Sequence, residues 1–191
     1  MSRRNLVVIG VSTGGPLTLK ALFREIPPLD AAFLIVLHIT PQMDYRIAQG
    51  LATVASMPVS LAEDGEFLRS GNIYLAPGGF HLQLDGNQRV ALCEGARVNY
   101  VQPAVDVTML SLTRQLGGGT LIGIVLTGMG KDGAEGIRHV KQIGGITMAQ
   151  DQHSSTIYGM PKAAAMTGAV DYVLPPNKIA AKLAELLAPL N

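Results

Sequence analysis

Apolar residues along the chain alternate between two rhythms. Leu6-Val7-Val8-Ile9 is a short continuous apolar run, rich in β-branched residues and closed by Gly10. A run of that length ended by a turn signal reads as a buried strand. Pro16 then opens a stretch in which Leu19, Leu22, Phe23 and Ile26 recur at helical spacing until Pro27-Pro28, the pattern of an amphipathic helix stopped by proline. The same grammar repeats: Ala32 to Leu37 predicts a second buried strand, and Ile47, Leu51, Val54 and Ala55 predict a helix ending before Pro58. Leu121 to Leu126 predicts a strand, followed by a glycine-rich turn and a helix carrying Ile137, Val140, Lys141 and Ile143. Ile146 to Ala149, Val170 to Leu174 and a terminal helix from Lys178 to Leu187 complete the series. Apolar strands alternating with helices imply a mostly parallel sheet covered on both faces, a doubly wound α/β fold.

The middle breaks this rhythm. Asn72 to Pro77, His81 to Asp85 and Arg89 to Glu94 are short alternating segments separated by Gly78-Gly79 and Gly86-Asn87. Those are hairpin signals, so an antiparallel β-hairpin excursion or sheet edge is expected there. Neither a repeat nor a linker divides the 191 residues, and one domain over 1–191 is expected.

Composition narrows the function. With 48% hydrophobic and 15% charged residues, the chain is not of the disordered class. Its 15 Lys+Arg against 14 Asp+Glu leave a net charge of +1, with clustered cations only at Arg3 and Arg4, which is no footprint for nucleic acid or an anionic membrane. The apolar stretch after Arg4 is shorter than a signal-peptide core and runs into Ser12-Thr13-Gly14-Gly15. The longest apolar run, Ala31 to Leu37, is far below a membrane span. A lone Cys93, on an alternating segment, reads as strand packing in a reducing compartment. A cytoplasmic protein is expected. The 22 glycines ask for a positional explanation.

In an open parallel sheet, ligands bind beyond the carboxyl ends of the strands. Beyond the first strand lies Gly10-Val11-Ser12-Thr13-Gly14, beyond the second His38, and beyond the late strand Thr127-Gly128-Met129-Gly130-Lys131-Asp132-Gly133. The first matches G-x-S-x-G, an elbow that presents a serine oxygen at a strand-to-helix turn. A phosphate-binding loop or a purely structural turn reads the same residues differently, although G-x-G-x-x-G would need Gly at position 12 and no Walker sequence is present. His38 is either the first solvent-facing position after a buried strand or a site residue, with His153 as an alternative base. Asp132 could be an ordinary helix N-terminal acid; Asp106 and Asp151 are rival carboxylates, Asp106 reading as the cap of a helix through Leu110 and Leu112. A serine hydroxyl attacks only as its proton is removed, so Ser12 would need His38 as base and an acid to fix the imidazole. Backbone N–H groups of the glycine loops, nearest at Thr13 and Met129, would serve the oxyanion. The order Ser, His, Asp differs from that of α/β-hydrolases. No His or Cys spacing suggests a metal, and no cofactor is expected.

These residues also carry a resemblance. Ile9 to Pro16, His38, Leu126 to Gly133 and Gly159-Met160-Pro161-Lys162-Ala163-Ala164 closely resemble the catalytic domain of the chemotaxis protein-glutamate methylesterases, the CheB family. Ala62-Glu63-Asp64-Gly65, Tyr74-Leu75-Ala76-Pro77-Gly78 and Pro103-Ala104-Val105-Asp106-Val107 add to it, so that it runs in order over nearly the whole chain. The resemblance implies a Ser12, His38, Asp132 triad, with Met129 in the oxyanion region. It implies hydrolysis of glutamate γ-methyl esters on the cytoplasmic helices of chemoreceptors, with deamidation of glutamines as a companion acyl transfer. The family joins this domain to an N-terminal receiver. Here the first strand begins within a few residues of Met1, and the expectation is a catalytic domain without a receiver. A second departure is Asn99-Tyr100-Val101-Gln102 where the family has Asn-Arg-His-Arg, which removes two cations near the substrate cleft. Two other functions remain to be weighed: a non-catalytic signalling module on the same fold, and a nucleotide-binding oxidoreductase.

Overall fold

The computed structural model describes residues 4–85, 87–114 and 118–190; Arg3 and Gly86, both invoked above, lie outside the described residues. Its frame is a seven-stranded sheet in the order β3-β4-β2-β1-β7-β8-β9. The central strands β1 (Leu6–Val11), β2 (Ala32–Leu37) and β7 (Leu121–Val125) are buried at every position. They pair in parallel, Val8 standing beside Leu34 on one side and Gly123 on the other. β8 (Ile146–Gln150) and β9 (Tyr172–Leu174) extend one edge, β4 (Ile73–Leu75) and β3 (Val59–Leu61) the other, all parallel.

Continuous apolar runs are needed because both faces are covered. Odd-numbered residues of β1 and β2, such as Val7, Ile9, Phe33 and Ile35, pack with Leu22 and Phe23 of α1 (Gly15–Glu25), Leu51 of α2 (Asp44–Ala52) and Leu183 of α6 (Pro176–Leu186). Even-numbered residues, Val8, Leu34 and Val36, pack with Met109 of α3 (Val105–Leu110), Ile137 and Val140 of α4 (Ala134–Gln142) and Met160 of α5 (Met160–Ala165). The period of two thus divides each strand between two cores.

The middle of the chain corrects the hairpin expectation in part. Only β5 (His81–Leu84) and β6 (Val90–Cys93) form an antiparallel pair. Asn72 to Pro77 instead supplies β4, whose Ile73, Tyr74 and Leu75 are all buried beside β2, so its apparent alternation is an effect of length. The α2 helix ends at Ala52, with Val54 and Ala55 packed against the core beyond it. Cys93 lies on β6 as expected but is only half-buried.

Because β2 and β7 flank β1 on opposite sides, the chain leaves β1 in one direction and returns on the other. The carboxyl ends of these three strands enclose the crevice that such a reversal opens.

Candidate active site

The three strand-end loops are tied to one another before any side chain is considered. The Ser12 N–H donates to the Thr127 carbonyl, His38 N–H to Val11 and Leu126 N–H to Gly10. A Cβ on Gly128 would stand 2.8 Å from the Ser12 Cβ and would overlap the Met160 sulfur, so glycine lets the β7 loop lie against the serine. The left-handed backbone of the elbow falls on Gly14, at φ 81°, rather than on Ser12.

His38 and Asp132 meet: Nε2 stands 2.7 Å from Oδ2, with the side chains 11% and 2% exposed. An ionised carboxylate accepts, so Nε2 carries the proton and Nδ1 is left as the basic nitrogen. Among the described residues Ser12 forms no hydrogen bond to His38. The two line one cleft of about 340 Å³ with Thr13, Gly14, Leu37 and Met43. The N–H groups of Thr13 and Met129 donate to no group among the described residues, and Met129 is exposed. Free donors therefore lie on both loops that flank Ser12.

Asp132 is held by four donors. Oδ2 accepts from His38 and from the Val105 N–H at 2.7 Å; Oδ1 accepts from the Asp106 N–H at 3.0 Å and from Asn99 Nδ2 at 2.9 Å. Burial works against its charge, but the bonds from His38, Asp106, Val105 and Asn99 outweigh it and hold the carboxyl below its ordinary value. Asp106 is the opposite case. Burial pushes it up, the charge of Asp132 adds to that, and bonds from Gly136, Asn99 and Gly133 only partly offset it.

Asp106 does not cap its own helix. Its Oδ1 accepts the N–H groups of Gly133 and Gly136, at the start of α4, at 3.0 and 2.8 Å. Asp132, just before α4, takes the N–H groups of Val105 and Asp106 that open α3. Each aspartate thus caps the other's helix, satisfying end donors that a helix leaves unpaired.

The remaining candidates stand apart. His153 is exposed in the turn after β8, and Asp151 accepts from the Ser154 backbone and hydroxyl. His81 is buried, bonded to Ala96 and Ala104; His139 bonds the Leu112 carbonyl. Two buried supports, Thr127 and Gln150, and one half-buried support, Asn99, carry no plain signal in the sequence. Thr127 Oγ1 donates to the Thr13 carbonyl at 2.9 Å and accepts the Ile157 N–H at 3.0 Å, while Gln150 Oε1 accepts the Thr127 N–H at 2.8 Å. Asn99 Nδ2 bridges the two aspartates, 2.8 Å from Asp106 Oδ2. Gln150 comes nearest to a signal, being like His38 a polar residue at the end of a buried strand. The Asn99 loop, although short of the family's two cations, still brings Arg97 beside His38, Thr40 and Tyr100.

Fold and site together define an α/β protein with a serine, a histidine and a buried carboxylate gathered at adjacent strand ends. Comparison carries this further: the family model for CheB methylesterase matches residues 7–183. The protein-glutamate methylesterase/protein-glutamine glutaminase of Pyrococcus horikoshii is 42% identical over 180 residues, covering 92% of this chain and 49% of that protein. The protein of the same name from Thermotoga maritima is 40% identical, covering 95% and 54%. The crystal structure of the Thermotoga maritima CheB methylesterase catalytic domain superposes with a TM-score of 0.89 at 38% identity, covering 97% of this chain and all of that one. The chain belongs to the CheB methylesterase family, and it spans about half the length of the curated relatives it matches.

Proposed function

We propose that this chain is a serine hydrolase that removes methyl groups from glutamate γ-methyl esters of chemoreceptor cytoplasmic helices, and deamidates glutamines by the same acyl transfer. The observation that carries the reading is the 2.7 Å pairing of His38 with Asp132 at the rim of a cleft that Ser12 also lines. The family membership and the names of its relatives support the substrate class.

Ser12 Oγ attacks the ester carbonyl while His38 Nδ1 takes its proton. Asp132 stabilises the imidazolium through Nε2–H, and the Thr13 and Met129 N–H groups receive the oxyanion. The imidazolium returns its proton to the departing methoxide, and methanol leaves an acyl-Ser12. Water, deprotonated by His38, then releases the glutamate and restores the Ser12 hydroxyl. A glutamine follows the same course, with ammonia as the leaving group. Met43 of this cleft and Tyr100 of the adjoining one that shares His38 are both exposed, apolar surface suited to a helix rather than to a small ester.

Methanol release from a methylated receptor fragment tests the proposal. Ser12→Ala is expected to lower the rate by roughly 10⁴-fold or more; equal rates from the variant and the wild type contradict it.

A further inference from the structure

Two buried carboxylates sit side by side in this site, and only one of them belongs to the triad. Asp132 and Asp106 are 2% and 6% exposed, and their charges disfavour one another. Between them stands a single amide: the two hydrogens of Asn99 Nδ2 reach Asp106 Oδ2 at 2.8 Å and Asp132 Oδ1 at 2.9 Å. Asn99 and Tyr100 both have positive φ, 54° and 67°. That backbone is costly for most side chains and best tolerated by asparagine and aspartate among non-glycines. It is what brings the amide between the carboxylates.

We propose that Asn99 is a positioning residue for this hydrolase: by bridging Asp106 and Asp132 it keeps Asp132 charged and turned toward His38. The proposal rests on the triad reading above. The titratable groups against Asp132 are His38, from the end of β2, and Asp106, from α3; Arg97 and Tyr100 line the outer cleft with His38. Without the bridge Asp132 loses one of its four donors and faces Asp106 unshielded. A carboxylate so exposed to a like charge is more basic. It binds its own proton, and the imidazolium proton of His38, up to a higher pH. Neutral His38 is the form that takes the Ser12 proton, so the active fraction is reached at higher pH.

The test uses Asn99→Gly, which removes the donor while suiting the positive φ. Two quantities are measured: the acidic limb of the kcat/KM profile for methanol release, and the titration of the His38 ring followed by NMR. Both midpoints are expected to rise by about half a unit or more, with a loss of about threefold or more in kcat/KM on the acidic limb. Adding Asp106→Asn keeps an acceptor for Gly133 and Gly136 but removes the neighbouring charge, and should bring both midpoints back toward the wild type. A residue that merely shaped the loop would leave the Asn99→Gly midpoints at wild-type values, and that result overturns the proposal. So does a double variant as displaced as Asn99→Gly alone. If the wild type released no methanol, the proposed function would fall, while the His38 titration would still decide the role of Asn99.

Discussion

Asp132 serves three partners at once: the imidazole of His38, the first turn of α3 and the amide of Asn99. That density of donors has a consequence for stability. A carboxyl held below its ordinary value of 3.8 in the folded state contributes stability that is present above that value and lost as pH falls through the lower folded one. Asp132→Asn is therefore expected to lower the melting temperature clearly near pH 7 and progressively less below about pH 3.8. Asp106, shifted upward, acts with the opposite sign: its ionised form costs stability at neutral pH, and acid relieves it. A melting difference between wild type and Asp132→Asn that does not narrow in acid would contradict the assignment of Asp132 as a stabilised anion. At this scale Ser12, His38 and Asp132 were legible because each is a chemistry-bearing residue at the end of a buried strand. Asn99 was not, since its role depends on a loop conformation held by two non-glycines at positive φ, which residue type alone does not announce.

Elements do here what single side chains cannot. The exchange of caps between α3 and α4 makes the two helix starts one unit and sets Asp132 in place as a by-product of folding. Asp106→Ala leaves the Gly133 and Gly136 amides without their acceptor, and is expected to cost about 1–3 kcal/mol in urea unfolding. Local sequence makes Asp106 a cap for its own helix; the amides it actually accepts from lie 27 and 30 residues away and leave no local signal. Close packing of the loops gives a second expectation. Gly128→Ala forces a methyl between Ser12 and Met160, an overpacking of about 1–3 kcal/mol, and methanol release should fall by about tenfold or more. Activity like that of the wild type would show that the β7 loop can withdraw from Ser12. The long strands β1, β2 and β7 are legible because apolar runs broken by nothing larger than a glycine suit a twice-covered strand. The three-residue β3 and β4 and the six-residue α5 are not, since a period cannot be established over so few positions.

At the scale of the whole molecule, the parallel sheet turns distant segments into neighbours: Ser12, His38 and Asp132 are brought together by strand order, β2-β1-β7. That order explains how a near-neutral chain can concentrate its chemistry at one edge. The glycine excess is partly explained there too, at Gly14 and Gly128, where the loops turn or touch. Charge is local rather than global. With a net charge of +1, the attraction for an acidic helix that the proposed function calls for would fall to cleft residues such as Arg97 rather than to the field of the whole surface. The loss of two cations between Asn99 and Gln102 is visible in the sequence, whereas the placement of Arg97 follows only from the fold of that loop.

The central claim is that Ser12 is the group that becomes acylated and that His38 activates it. It is tested most directly by peptide mapping after exposure to a serine-directed fluorophosphonate. The adduct is expected on Ser12 in the wild type, and its formation should slow by roughly 10³-fold or more in His38→Ala. A folded wild type that takes no label, or takes it on another residue, would contradict the claim.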